Sequence, residues 1–216
     1  MGGQRVQQVE MEKICLNIES AGHRLGIALT CGEELIEEMH LDQPYAAPGS
    51  LLPMIRGLLE KKEIRPSDIG LIAVDVGPGS FTGLRAGIAA AQGLAFGLNC
   101  PLIGISAFQA LAKSAQRKNE TFPLSILLDS RREDPFAAIL DEECRFLMPP
   151  CVLLKEDLDS WRNQQPHLLA NQAHLAANWR FVDPYDVGLL ALSQNCHLPP
   201  HPVYMRDPEI TKARPK

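Results

Sequence analysis

The sequence predicts an α/β protein built from two related lobes, and three observations predict it. The first half reads, in order, as three strands, a helix, a strand, a helix and a strand. The second half opens the same way, with three strands ahead of its helices. The first strand of each half also ends in an acid followed by serine, Glu19-Ser20 and Asp129-Ser130. A chain of 216 residues is long enough for two lobes with real cores.

Residues 1–12 are polar and read as an extension, residues 13–105 as the first lobe, and residues 106–216 as a second, smaller lobe with a tail. Apolar runs at 14–18, 24–30 and 34–39, separated by turns at Gly22 and Gly32, predict an antiparallel meander. A loop with Pro44 and Pro48 follows. Ser50 is placed to cap a helix running to Lys62, whose apolar residues Leu51, Leu52, Ile55, Leu58 and Leu59 have helical spacing. A strand at 71–76 leads through a glycine-rich turn into a helix that starts near Thr82 and runs to Leu98, then a strand at 102–105. A helix at 107–116 joins the halves. The second half predicts strands at 124–128, 136–140 and 144–147, a helix at 156–164 and a short strand at 167–170. It closes with a helix at 172–179, a short strand at 181–182 and a helix at 184–194.

The densest information lies in Val74-Asp-Val-Gly-Pro-Gly-Ser-Phe-Thr-Gly-Leu-Arg85. Gly77, Gly79 and Gly83 let the backbone take positive φ or approach a neighbour closely. Ser80 or Thr82 is placed to cap the following helix, whose free N–H groups would suit an anion. Two readings stand side by side: a phosphate cradle, and a structural strand-to-helix turn. No Gly-Lys-Ser/Thr is present, and the third glycine falls one residue late for a dinucleotide fingerprint. Arg85, next to the turn, is placed to pair with a partner carboxylate or to cap its own lobe.

The helix after the turn carries two apolar faces. Ala86, Ala90, Gly93 and Gly97 fall on one side at spacings of four, three and four. Leu84, Ile88, Ala91, Leu94 and Leu98 form a bulkier second side suited to the core. Each helical glycine costs roughly 1 kcal/mol against alanine, so close helix–helix approach is the natural compensation. That approach is either within this chain or against another protein.

Mild acidity, with a net charge of −5, argues against a dominant nucleic-acid or membrane surface. Six cysteines without a C-x-x-C pair fit reduced thiols. The longest apolar run is too short and glycine-rich to span a bilayer. His197 and His201 stand beside Cys196, but Pro199 and Pro200 forbid the helix that would stack the imidazoles, and no metal site is predicted. Glu19 and Asp129, at equivalent strand ends, would suit a metal-bound nucleotide if they faced each other across a cleft. Both are equally ordinary turn residues.

Gly77-Pro-Gly-Ser-Phe-Thr-Gly-Leu-Arg85, the Ala/Gly helix after it and Pro101-Leu-Ile-Gly-Ile-Ser106 resemble the TsaB (YeaZ) family of tRNA threonylcarbamoyladenosine biosynthesis. Asp129-Ser-Arg-Arg-Glu-Asp-Pro-Phe-Ala-Ala-Ile-Leu140 and Pro202-Val-Tyr-Met-Arg206 resemble its second-lobe hairpin and C-terminal signature, so the likeness covers residues 13–206. It implies a two-lobed actin-like, Hsp70-like fold. It implies a cytoplasmic, non-catalytic scaffold that binds TsaD directly and TsaE through the complex, in threonylcarbamoyl transfer to adenosine 37 of tRNA. It further implies a homodimer when the scaffold is alone, only indirect contact with tRNA, no cofactor required by the chain itself, and room for ATP with magnesium in the assembled complex. Carried over, the interface helices are 50–62 and 84–98, with Leu51, Ile55, Leu58, Ala86, Ala90, Gly93 and Gly97. Two departures weaken parts of the likeness. Glu19-Ser20-Ala21 replaces the family's Asp-Thr-Ser, and Ala47-Pro48-Gly49-Ser50 replaces its His-Ser-Glu. The competing expectation is a nucleotide-binding phosphotransferase of the same fold acting without TsaD.

Overall fold

The computed structural model describes residues 13–42 and 48–206. The polar extension at 1–12, Pro44 and Ala47 of the first loop, and the basic residues at 212, 214 and 216 lie outside them.

The first lobe is built on five strands: β1 (Ile14–Glu19), β2 (Leu25–Cys31), β3 (Glu34–Leu41), β4 (Ile69–Gly77) and β5 (Leu102–Ser106). They lie in the order β3-β2-β1-β4-β5. The first three pair antiparallel, as the closely spaced turns dictate, and β4 and β5 join parallel through helical crossovers. Those crossovers are α1 (Leu51–Lys61) and α2 (Phe81–Leu98). Alternation along β1 sends Leu16 and Ile18 to the face that α1 and α2 cover, where Leu51, Ile55, Leu58, Leu84, Ile88 and Ala91 complete a core.

The second lobe has four strands: β6 (Leu124–Leu128), β7 (Phe136–Leu140), β8 (Phe146–Val152) and β9 (Leu168–Ala170). Their order is β8-β7-β6-β9, one strand fewer than the first sheet. This is the reduced copy that the sequence predicts, and the two-lobed actin-like architecture is present. Between the sheets lie α3 (Ala107–Arg117) and α5 (Pro184–Ala191), whose apolar residues join both lobes in one core. The helix α4 (Leu158–Gln164) lies at the outer face of the second sheet, where Leu158 and Trp161 pack on Leu127 and Ala137.

Several elements differ from expectation. The expected helix at 172–179 is absent, because Ala170 N–H donates to Asn178 O (3.0 Å) and Arg180 N–H to Ala170 O (2.9 Å). These bonds draw 178–180 alongside β9 as an isolated bridge at Trp179, and no strand forms at 181–182. The expected strand at 144–147 begins later and runs further. Cys144 takes a left-handed conformation (φ 59°) in the turn, and Pro149 and Pro150 are tolerated because β8 is an edge strand. The final helix ends at Ala191. Although the second half of the chain contributes it, α5 packs on β1 and β2 of the first sheet. Gly188 permits this, since a Cβ there would collide with the Asn17 side chain. Ser50 makes no capping bond, because it sits in a 3-10 turn with helical dihedrals. Among the described residues no helix is long and apolar enough to cross a membrane.

Candidate functional site

The glycine turn is a packing device. Gly77 has φ of 102°, a conformation reserved largely for glycine. Gly79 lies against the β1–β2 turn, where a Cβ would stand 2.7 Å from Ala21 O. At Gly83 and Gly87 a Cβ would collide with the carbonyl oxygen and the hydroxyl of Ser20. Hydrogen bonds fix the same approach: Ser80 N–H donates to Ala21 O (2.7 Å), and Ser20 Oγ donates to Gly83 O (3.0 Å). Ser80 caps α2 by accepting from Gly83 N–H at 3.3 Å, whereas Thr82 lies exposed in the first turn. These close contacts with the Ser20-Ala21 backbone are what the structural reading of the turn expects.

Glu19 and Asp129, the acids expected at equivalent strand ends, are held by different partners. Glu19 is fully buried, and its Oε1 accepts from Ala21 N–H (2.9 Å) and Gly22 N–H (2.7 Å). Burial holds its carboxyl well above the usual range, and the neighbouring Asp75 carboxyl adds to the rise. Asp75, also buried, is pushed up to about 7 by desolvation, while the Gly77 N–H (2.7 Å) on its Oδ1 pulls the other way. Asp129 belongs to a different arrangement. Its Oδ2 lies 2.9 Å from His23 Nε2 of the first lobe, which bridges the lobes across the cleft. The sequence signal for Asp75 was a lone acid inside an apolar strand. His23, in an ordinary turn, carried none.

Arg85 settles on its own chain. Its guanidinium lies 3.7 Å over the Phe81 ring and donates from Nε to Tyr204 Oη at 2.8 Å. Val203 N–H donates to Val76 O at 2.8 Å, so the segment around Tyr204 folds back on the end of the first sheet. A cavity of about 270 Å³ remains there, bordered by Gly79, Phe81, Ser130 and Tyr204.

The two faces of α2 separate as their side-chain sizes suggest. Leu84, Ile88 and Ala91 are buried in the core. On the opposite side Gly93 and Gly97 are exposed, with nothing within 4 Å of where a Cβ would stand. Ala86 and Ala90 are half-buried beside them, and Phe96 is 91% exposed. Gly93 and Gly97 therefore serve no close approach among the described residues. On α1 the expected contacts Leu51, Ile55 and Leu58 are buried in the core instead, because its helical spacing turns that stripe inward. Leu52, half exposed, and Arg56 face outward, at the rim of an apolar groove of about 540 Å³ between the helices, floored by Ile55, Leu59, Leu94 and Leu98.

A family model described as TsaD, tRNA N6-adenosine threonylcarbamoyltransferase, matches residues 49–182. The chain is 40% identical over 88 residues to the tRNA threonylcarbamoyladenosine biosynthesis protein TsaB of Escherichia coli (strain K12), covering 41% of the chain and 38% of that protein. It is 29% identical over 126 residues to TsaB of Bacillus subtilis (strain 168), covering 57% of the chain and 53% of that protein. The chain thus spans about half or less of these curated relatives. Among solved structures, YeaZ from Pseudomonas aeruginosa superposes with a TM-score of 0.73 at 22% identity, covering 89% of this chain and 99% of that one. A Pseudomonas aeruginosa protein described as similar to peptidase YEAZ superposes with a TM-score of 0.75 at 23% identity, covering 90% and 100%; both likenesses bear on the fold. With the family model matching more than half of its residues, the chain belongs to the TsaD family, and its relatives place it among the TsaB (YeaZ) members.

Proposed function

We propose that this chain is a non-catalytic subunit that binds TsaD and supports threonylcarbamoyl transfer to adenosine 37 of tRNA. The observation that carries the reading is the open small-residue face of α2. Gly93 and Gly97 sit in a helix interior at a cost of roughly 1 kcal/mol each, and among the described residues nothing uses the space they leave. A helix from a partner of the same fold can approach that stripe closely, with Phe96 and the α1–α2 groove supplying apolar area at its edge. TsaE then joins through the assembled complex, tRNA is engaged by the catalytic partner, and a second copy of this chain occupies the face when TsaD is absent. ATP and magnesium act in the complex rather than on this chain.

Nucleotide-dependent phosphotransfer by the chain alone has less support, since the Glu19 carboxyl is engaged in capping its own turn and lies buried beside Asp75. The test is a reconstitution with TsaD, TsaE, tRNA and the threonylcarbamoyl donor from the same organism. Modified adenosine forming only when this chain is added supports the reading. Full modification without it, or Mg–ATP turnover by the isolated chain, contradicts it.

A further inference from the structure

The edge of the first sheet carries a group of metal-ligating side chains that no part of the proposed function uses. Glu38 and His40 are two residues apart on β3 and share one face of that edge strand. Asp183, the N-cap of α5, stands beside them. One ligand atom from each of the three lies within 4.8 Å of the other two, and all three residues are half-buried. Among the described residues this is the single such group. It exists only because α5 docks on the first sheet.

The group is fixed by its surroundings. Gly26 is opposite His40 in register, and a Cβ there would lie 3.0 Å from His40 Nδ1 and 2.9 Å from Pro184 Cδ. The imidazole and the proline ring therefore fill the notch that glycine leaves. Asp183 Oδ1 accepts from Tyr185 N–H at 2.9 Å, which orients the carboxylate. Tyr185 Oη donates to Glu33 O at 2.6 Å and pins the start of α5 to the beginning of β3.

Among the described residues the bonding capacity of the imidazole is unmet. His40 Nδ1 is buried without a hydrogen-bond partner. Nε2 lies 3.5 Å from Glu38 Oε1, too long for a good hydrogen bond. Two carboxylates are held close together; the Arg117 guanidinium, paired with Asp186, also acts on Asp183 through space. Ligand atoms on one tetrahedral ion, with bonds of about 2.0–2.2 Å, stand about 3.3–3.6 Å apart, which the Glu38–His40 pair already satisfies.

We propose that Glu38, His40 and Asp183 bind one divalent transition-metal ion, with zinc as the probe, clamping the edge strand to the start of α5. The two carboxylates balance the ion's charge, and the imidazole favours zinc over magnesium, which prefers an all-oxygen shell. A water completes the coordination. The clamp would join the first lobe to a helix contributed by the end of the chain.

The experiment is calorimetric titration of the metal-stripped full chain with zinc chloride, with thermal unfolding followed in parallel. The proposal predicts one equivalent bound in the micromolar range, a zinc-dependent rise in Tm, and no such rise with magnesium. His40→Ala should weaken binding by at least about tenfold and remove the rise. The double variant Glu38→Gln/Asp183→Asn should do the same while keeping side-chain shape, because asparagine still caps a helix. It also decides the matter if His40→Ala does not fold. His201→Ala should bind as the wild type does. Absence of a zinc-dependent rise, or unchanged affinity in the double variant, overturns the proposal.

Discussion

Gly83 of α2 packs directly on the backbone carbonyl of Ser20, leaving no room for a side chain between the helix and the turn after β1. Gly93, ten residues further along the same helix, faces open space. One residue type thus serves two purposes in one helix, and substitution separates them. Gly83→Ala forces the turn and the helix apart, which costs about 1–3 kcal/mol or more, read as a lower urea midpoint.

Gly93→Ala should move stability the other way. The added methyl meets nothing among the described residues, and alanine is favoured over glycine in a helix interior by roughly 1 kcal/mol. A raised urea midpoint is expected. A lowered one would mean that the face has a packing role within the monomer.

Glu19 and Asp75 make stability depend on pH. Both carboxyls are held above their unfolded values near 4, Glu19 in direction and Asp75 to about 7. The native state therefore binds more protons than the unfolded chain between those limits. The resulting stability is fully present below about pH 4 and is lost as pH rises through 7. Asp186, raised to about 6 by burial, adds a slope of the same sign. Glu19→Gln keeps the acceptor for Ala21 and Gly22 and removes one proton site. Urea midpoints at pH 5 and pH 8 should differ less for this variant than for the wild type; equal differences would sink the account of the pair.

Arg117 holds the buried Asp186 through Nε–Oδ1 (2.6 Å) and Nη2–Oδ2 (3.1 Å), tying α3 to α5. Removing one partner of a buried pair costs roughly 3–5 kcal/mol, and the partial exposure of Arg117 puts the expected loss at the lower end. Arg117→Ala should therefore lower the denaturation midpoint clearly, whereas Arg56→Ala, in an exposed pair, should leave it nearly unchanged.

The first lobe was legible because its signals are local. Strand alternation, the turns at Gly22 and Gly32 and the helical stripe of α1 all act within a few residues. The two faces of α2 were legible for the same reason, as side-chain size alone sorts Leu84 and Ile88 from Gly93 and Gly97. What escaped depends on contacts between distant segments. Residues 172–179 carry a helical pattern, but hydrogen bonds to Ala170 override it. The fate of Glu19 depended on Asp75, far along the chain and inside an apolar run. The grouping of Glu38, His40 and Asp183 exists only once α5 has crossed to the first sheet. The inward turn of Leu51, Ile55 and Leu58 follows from their spacing, yet the family likeness pointed to the helix as a whole and not to its outer side.

The central claim is that the small-residue face of α2 receives TsaD. Light scattering on size-exclusion chromatography, with this chain and TsaD of the same organism, tests it most directly when run on the wild type, Ala90→Trp and Gly93→Leu. The account predicts a one-to-one or two-to-two complex for the wild type. Each variant should be folded, with an unchanged circular dichroism spectrum, and should elute apart from TsaD. Complexes of normal size and yield with both variants would contradict it.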